Sequence, residues 1–348
     1  MLSIVIVVIV LALTFDFING FHDTANSIAT SVSTRVLSPR VAILMAAVLN
    51  IAGALTSKKV AATISQGIIK DSYIPGQNGV LYVVIATLIA AITWNLITWY
   101  FGIPSSSSHA LFGGLIGSSV AYVGSAAVLK WYEAPKPGHM IFEAKGILVK
   151  VLIPLFTSPL IGFILGFIVM KSLFFILKSF SQHTVNKWFA KLQIVSAAIM
   201  AFAHGGNDAQ KSMGIITIAL IAADMNGGGK EPIFPVILAC ALAMGIGTSV
   251  GGWKIIKTMG VNMIRLQPIN GFAAETSSAL IIETMTRLGA PVSTTHIIST
   301  SIMGVGASKR LSAVRWALAR NIVWAWVLTI PITAIIGAVI AGLFRLFT

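Results

Sequence analysis

Residues 102–117 read GIPSSSSHALFGGLIG, and residues 289–304 read GAPVSTTHIISTSIMG. Laid on one another, they keep Gly102/Gly289, Pro104/Pro291, three hydroxyl side chains, His109/His296 and Gly117/Gly304 in register. Each stretch follows an apolar run and leads into a run of small residues. Gly ends a helix and Pro suits the first turn of the next. Ser and Thr cap a new helix by accepting its free N–H groups. The pair therefore predicts two helix breaks, each followed by a helix whose N-terminus faces the interior.

The surroundings of these breaks set the medium. The chain has 348 residues, 56% hydrophobic and only 10% charged, whereas a soluble domain carries about 25% charged residues. Apolar runs recur at 2–18, 41–56, 79–101, 109–129, 147–177, 212–223, 233–250 and 321–344. Several reach the roughly 20 residues that cross a bilayer as a helix. They do not alternate apolar and polar residues, as the strands of a membrane barrel do. The reading is an all-α polytopic membrane protein, with about ten to twelve transmembrane segments, some broken or re-entrant. Freed backbone groups at a break must then face protein or a water-filled cavity, never lipid.

The N-terminus has no basic region and no small-x-small cleavage pattern, so it reads as a retained first span. The net charge of +14 collects between the apolar runs, at Arg35 and Arg40, Lys58 and Lys59, Lys254 and Lys257, and Lys309 to Arg320. That is the positive-inside bias of cytoplasmic loops, and no nucleic acid is expected. A basic vestibule for an anionic solute is the alternative use of these charges. The single cysteine, Cys240, cannot form an internal disulfide and reads as core.

Two further correspondences appear in the same order. FINGFHDTANS (17–27) aligns with FAHGGNDAQKS (202–212), and KVAATISQGII (59–69) with FAAETSSALII (272–282). Residues 1–180 read as a first half and 192–348 as a second, joined by a polar linker at 181–191. The longest polar insertion, 130–146, reads as a loop with an amphipathic piece on the membrane surface. A duplicated hydrophobic chain is the mark of a secondary transporter, with its substrate near the midplane where the halves meet. With an odd number of crossings per half, the two repeats have inverted topology.

The residues at the breaks indicate the cargo. A helix N-terminus carries unsatisfied N–H donors and about half a positive charge, which suits an oxyanion. Ser105, Ser106, Ser107 and Ser108 in one half, and Ser293, Thr294 and Thr295 in the other, add donors. Two such ends facing one another would wrap a tetrahedral anion. In GFHDTAN and GGNDAQK, a Gly precedes polar residues between apolar runs, and each resembles a broken helix. Asp23 and Asp208 share a repeat position, and an intramembrane carboxylate costs roughly 2.5–3.5 kcal/mol to insert, which marks it as functional. Carboxylates and amide oxygens suit an alkali cation, here Asp23, Asp208, Asn26 and Asn207, with Glu275 as an additional ligand. Cations would turn the repulsion between the anion and the aspartates into attraction, which makes binding of the two mutually dependent. Asn26 and Gln210 are also candidate anion ligands, and His22, His109, His296 and Lys211 are accessory candidates.

These motifs resemble the inorganic phosphate transporter (PiT) family, whose signature is a duplicated G-x-N-D-x-A-N element, here GFHDTAN and GGNDAQK. The PSSSSH and PVSTTH elements are similar to that family's as well, and the likeness covers about residues 15–128 and 200–310. It implies electrochemically driven import of inorganic phosphate across the plasma membrane by a multi-pass homodimer. Sodium is the expected co-substrate, because two Asp with neighbouring amides make a cation cage whereas one His is a thin basis for a proton relay, and no other cofactor is expected. His22 stands where the signature has Asn, and Gln210–Lys211 where it has Ala–Asn. Of the family's paired glutamates, only Glu275 is present, with Ala62 in the other place. These departures resemble the bacterial branch, so coupling to protons or carriage of a metal–phosphate complex are the alternatives.

Other classes fit less well. No G-x-S-x-G elbow, H-E-x-x-H pair or Cys/His zinc spacing supports an intramembrane hydrolase, so no enzyme is expected, and no P-loop supports an ATP-driven pump. Facing breaks also build channel filters, but paired acids beside anion-type helix ends suit coupled binding better. Sulfate is the rival anion.

Overall fold

A computed structural model describes residues 1–76, 78–135, 144 and 146–347. The loop reading of 130–146 falls mostly outside them. Twelve α-helices organise the described residues. The first six are α1 (Leu2–Ser33), α2 (Pro39–Ala54), α3 (Lys59–Gly67), α4 (Gly79–Phe101), α5 (Ser107–Val123) and α6 (Ile153–Ile176). The second six are α7 (Gln182–Ala222), α8 (Phe234–Val250), α9 (Trp253–Lys257), α10 (Pro268–Arg287), α11 (Thr294–Lys309) and α12 (Trp316–Phe347). Among the described residues the only β-type pairing outside strands is an isolated bridge between Ile69 and Leu129.

Among the described residues, four helices, α1, α4, α6 with its preceding turn, and α12, are long and apolar enough to cross a membrane. Two bent pairs, α2 with α3 at 61° and α8 with α9 at 65°, bring the number to six if each pair is one span. The remaining helices are shorter or more polar, as expected of segments buried among other helices. The exposed faces of α6 and α12 carry Phe156, Leu160, Ile164, Ile335 and Val339, a surface that suits lipid.

The two sets of six pack alike. Helix α1 packs on α8 and α2 on α7; α5 packs on α12 and α11 on α6. Helix α1 also meets α4, as α7 meets α10, and α3 meets α7, as α9 meets α1. Exchanging α1–α6 for α7–α12 maps these pairs onto one another. This corrects the middle correspondence of the sequence: the counterpart of α3 is α9, and that of α10 is α4. The residues shared by 59–69 and 272–282 are small ones that any close helix contact favours.

Two apolar clusters form the core. In one, Val5, Val8, Ala12 and Phe15 of α1 pack with Met213, Ile216 and Leu220 of α7. In the other, Ala25, Ile28 and Ala29 of α1 pack with Phe189, Met200 and Ala203 of α7. The start of α1 thus lies beside the end of α7, and the two helices run antiparallel. Between the clusters lies a polar layer that holds residues 16–24 and 204–208. Helix α5 runs from this layer into the first cluster and α11 into the second.

One expectation is corrected at this level. The signature stretches are not helix breaks, because α1 continues through Gly20 and α7 through Gly205 and Gly206. Their glycines serve packing instead. A Cβ at Gly20 would run into the Met244 carbonyl of α8, and one at Gly205 into the Asn50 carbonyl of α2. The polar stretch at 181–191 is helical from Gln182 onward. Ser181 Oγ accepts from the Thr184 N–H at 3.2 Å and caps α7, whose first turns are residues 182–191.

Candidate functional site

The breaks at 102–106 and 288–293 are real and alike. Gly102 closes α4 with φ +66, and Gly289 follows α10 with φ +67, left-handed conformations that glycine adopts without strain. The prolines do not enter the new helices. Pro104 and Pro291 each stand two residues before the cap, since α5 starts at Ser107 and α11 at Thr294. Ser106 Oγ accepts from the His109 N–H at 3.1 Å, and Ser293 Oγ from the His296 N–H at 3.3 Å. These two serines therefore spend their acceptors on capping.

The hydroxyls one residue further on face the aspartates. Ser107 Oγ donates to Asp23 Oδ2 at 3.1 Å, and Thr294 Oγ1 donates to Asp208 Oδ2 at 3.3 Å. Each half-helix thereby addresses the carboxylate of its own repeat. The next pair crosses between the halves. Thr295 Oγ1 donates to Asp23 Oδ1 at 3.4 Å, and Ser108 Oγ to the Val292 carbonyl at 2.9 Å. Asn26 Nδ2 spans both hydroxyls of α11, at 3.2 Å to Thr294 and 2.9 Å to Thr295. Its Oδ1 is buried with no hydrogen-bond partner among the described residues. All these side chains are buried, so they form one shared polar cluster screened from bulk solvent.

The aspartates already have nitrogen partners. His22 Nδ1 lies 2.7 Å from Asp23 Oδ1, and Lys211 Nζ lies 2.7 Å from Asp208 Oδ1. His204, one turn before Asp208, brings Nε2 to 3.6 Å from Asp208 Oδ2. Asp23, His204 and Asp208 each offer a ligand atom, and these atoms lie within 4.8 Å of one another. Such a buried cluster of two carboxylates and an imidazole can hold a cation between the two repeats.

Other candidates lie elsewhere. Gln210 does not face the pocket: its Oε1 accepts from the N–H groups of Val60 and Ala61 at 2.9 and 3.2 Å and caps α3. Asn207 holds the second break, donating to Thr286 Oγ1 at 2.8 Å and accepting from the Val292 N–H at 3.4 Å. Glu275 is apart from the aspartates, accepting from Thr30 at 2.5 Å, from Gln193 at 3.2 Å and from Ser196. Thr30 is two turns from Asp23, about 10 Å along α1, so Glu275 does not complete their cage. Ser105 turns away to Thr98 at 2.8 Å, where it supports His22. His109 and His296 meet each other, ring centroids 4.3 Å apart, and His296 stacks on Trp326. Lys211 neither reaches an interface nor stands in water; it is fully buried.

Three pocket residues escaped the sequence reading. Asn19 donates to Asp208 Oδ2 at 3.5 Å, His204 stands beside the same oxygen, and Thr98 bonds His22 Nε2 at 3.1 Å. For Asn19 a signal existed: Asp16, Asn19, Asp23, Asn26 and Thr30 are spaced three and four apart, which puts them on one face of α1. His204, four residues before Asp208, carried the same signal on α7.

A family model described as the phosphate transporter family matches residues 19–337. A protein of Bacillus subtilis (strain 168), named "Probable low-affinity inorganic phosphate transporter", is 48% identical over 97% of this chain and 96% of its own length. One of the same name from Rhizobium meliloti (strain 1021) is 45% identical over 95% and 93%. A solved structure described as "The sodium-dependent phosphate transporter" superposes with a TM-score of 0.84, at 23% identity, over 99% of this chain and all of that one. That likeness establishes the shared fold.

Proposed function

The chain belongs to the phosphate transporter family, a family of transport proteins and not of enzymes, and from that premise we propose that it imports inorganic phosphate across the plasma membrane by symport with sodium. The observation that carries this reading is the paired address of Ser107 to Asp23 and of Thr294 to Asp208 in one buried pocket. The N-termini of α5 and α11 supply free N–H groups and helix-dipole charge for the phosphate. Ser107, Ser108, Thr294 and Thr295 supply hydroxyl donors. The aspartates lie close enough to oppose an anion there, by roughly 4 kcal/mol for two unit charges about 4 Å apart at a protein-like dielectric. Sodium bound by Asp23, Asp208 and Asn26 Oδ1 reverses that sign. Phosphate and sodium then raise each other's affinity by the same factor, which is the thermodynamic content of coupling.

The antiparallel run of α1 and α7 supports an inverted orientation of the two repeats in the membrane, with access alternating about the pocket. The site is assembled within one chain, so in the homodimer each copy works with its own pocket. The mass of the detergent-solubilised protein tests that assembly.

Two observations favour variants of the reading. The His22–Asp23 contact would carry a proton in place of sodium. His204 beside two carboxylates would suit a divalent metal travelling with phosphate, since imidazole is a better ligand for such metals than for sodium. Uptake of radioactive phosphate into proteoliposomes, with sodium, pH and divalent-metal gradients imposed separately, decides among them. Sodium-driven accumulation is expected, lost in Asp23→Asn and Asp208→Asn. Accumulation driven by pH alone, or equal transport of sulfate, would overturn the proposal.

A further inference from the structure

We infer that Lys211 is a tethered cation that takes the place of one co-transported ion. The inference rests on the reading that phosphate and a coupling cation share the pocket. In the duplicated signature, Asn26 and Lys211 hold the same position. Asn26 leaves a buried oxygen without a partner among the described residues, the kind of donor a mobile cation uses. Its counterpart places an ammonium 2.7 Å from Asp208 Oδ1, on a side chain that is 0% exposed. The second repeat thus holds a fixed ammonium against its carboxylate, where the first has a neutral amide at the equivalent position and a titratable imidazole, His22, against Asp23.

The charge count gives this asymmetry its consequence. Asp23 and Asp208 together carry two negative charges, and phosphate adds one or two more. Lys211 neutralises one of the carboxylates throughout the cycle. A neutral residue at that position would leave the charge to be met from solution, by one additional ion bound with each phosphate. A buried ion pair costs more in lost hydration than surface pairs do, and a well-packed apolar pair is often as stable. Fold stability alone therefore does not call for the Lys211–Asp208 pair, whereas the transport stoichiometry changes by a whole charge. With the tether in place, less of the membrane potential is coupled to each phosphate moved.

The test measures net charge moved per phosphate in voltage-clamped proteoliposomes, together with radioactive sodium and phosphate counted in the same vesicles. Lys211→Asn, which restores the amide of the first repeat, is expected to raise the charge moved per phosphate by one. Where sodium is the coupling ion, the sodium-to-phosphate ratio rises by one as well, with a steeper sodium dependence. Lys211→Gln fills more of the lysine's volume and is expected to do the same. Lys211→Arg retains the charge and is expected to keep the wild-type ratio. An unchanged ratio in either neutral variant, or a changed one in Lys211→Arg, would overturn the inference. If wild-type uptake follows the pH gradient and carries no sodium, the sodium reading fails by itself. The charge per phosphate then still decides the role of Lys211.

Discussion

The ring of His109 meets that of His296 edge to face, centroids 4.3 Å apart and planes at 88°. These residues lie 187 positions apart in sequence, each three after the cap of its half-helix. Their contact fixes how closely the two N-termini approach, and so the span that an anion bridges. From this joint the pocket's donors fan out toward Asp23 and Asp208.

Ser107 and Thr294 hold equivalent places, so their loss should act alike. Ser107→Ala and Thr294→Ala each remove a hydrogen bond to a charged group, worth about 1.5–3 kcal/mol. Each is expected to raise the KM for phosphate about ten- to a hundred-fold, and the double variant to abolish uptake. Initial rates across phosphate concentrations check this. A KM within two-fold of wild type for both single variants would remove the hydroxyls from the site.

Gln210 belongs to α3 and not to the cargo. Gln210→Ala strips the cap from the Val60 and Ala61 N–H groups, a loss of about 0.5–2 kcal/mol. Thermal unfolding in detergent should shift downward by a few degrees, while the KM for phosphate of the folded fraction stays near wild type. A large rise in KM with unchanged stability would return Gln210 to the pocket.

Gly20 sets the distance between α1 and α8. Gly20→Val drives its side chain into the Met244 carbonyl, and overpacking of this kind costs about 1–3 kcal/mol. Less folded protein in size-exclusion profiles and a lower melting point are expected. Wild-type stability would mean that α1 and α8 stand further apart than the structure has them.

The antiparallel α1 and α7 put the loops after them on opposite membrane faces if the repeats are inverted. In a Cys240→Ser background, Arg40→Cys and Lys230→Cys introduce exposed labels after α1 and α7. An impermeant maleimide should reach one from outside intact cells and the other only after permeabilisation. Labelling of both from one side would rule out inversion.

Much of the site was legible because it was written twice. The recurrence of Gly, Pro, three hydroxyls and His at one spacing marked both breaks, and glycines in left-handed conformation stand at both. Asp23 and Asp208 were marked by repetition and by the cost of a carboxylate in hydrocarbon. Gly20 and Gly205 read as breaks in the sequence because a glycine that bends a chain and one that admits a neighbouring backbone look the same in a string. Gln210, Asn207 and Glu275 were likewise polar residues near the motif whose direction no spacing could give.

The membrane class, the duplication and the two half-helices follow from hydropathy, periodicity and local backbone preference, all of which can be read along the chain. Packing set which polar groups meet, because that depends on the rotation and crossing of helices far apart in the chain. It turned Lys211 onto Asp208 and away from water, Gln210 onto α3, and Glu275 to a separate network two turns along α1. Burial allows each polar group only the partners within reach, and reach is a property of the packed helices.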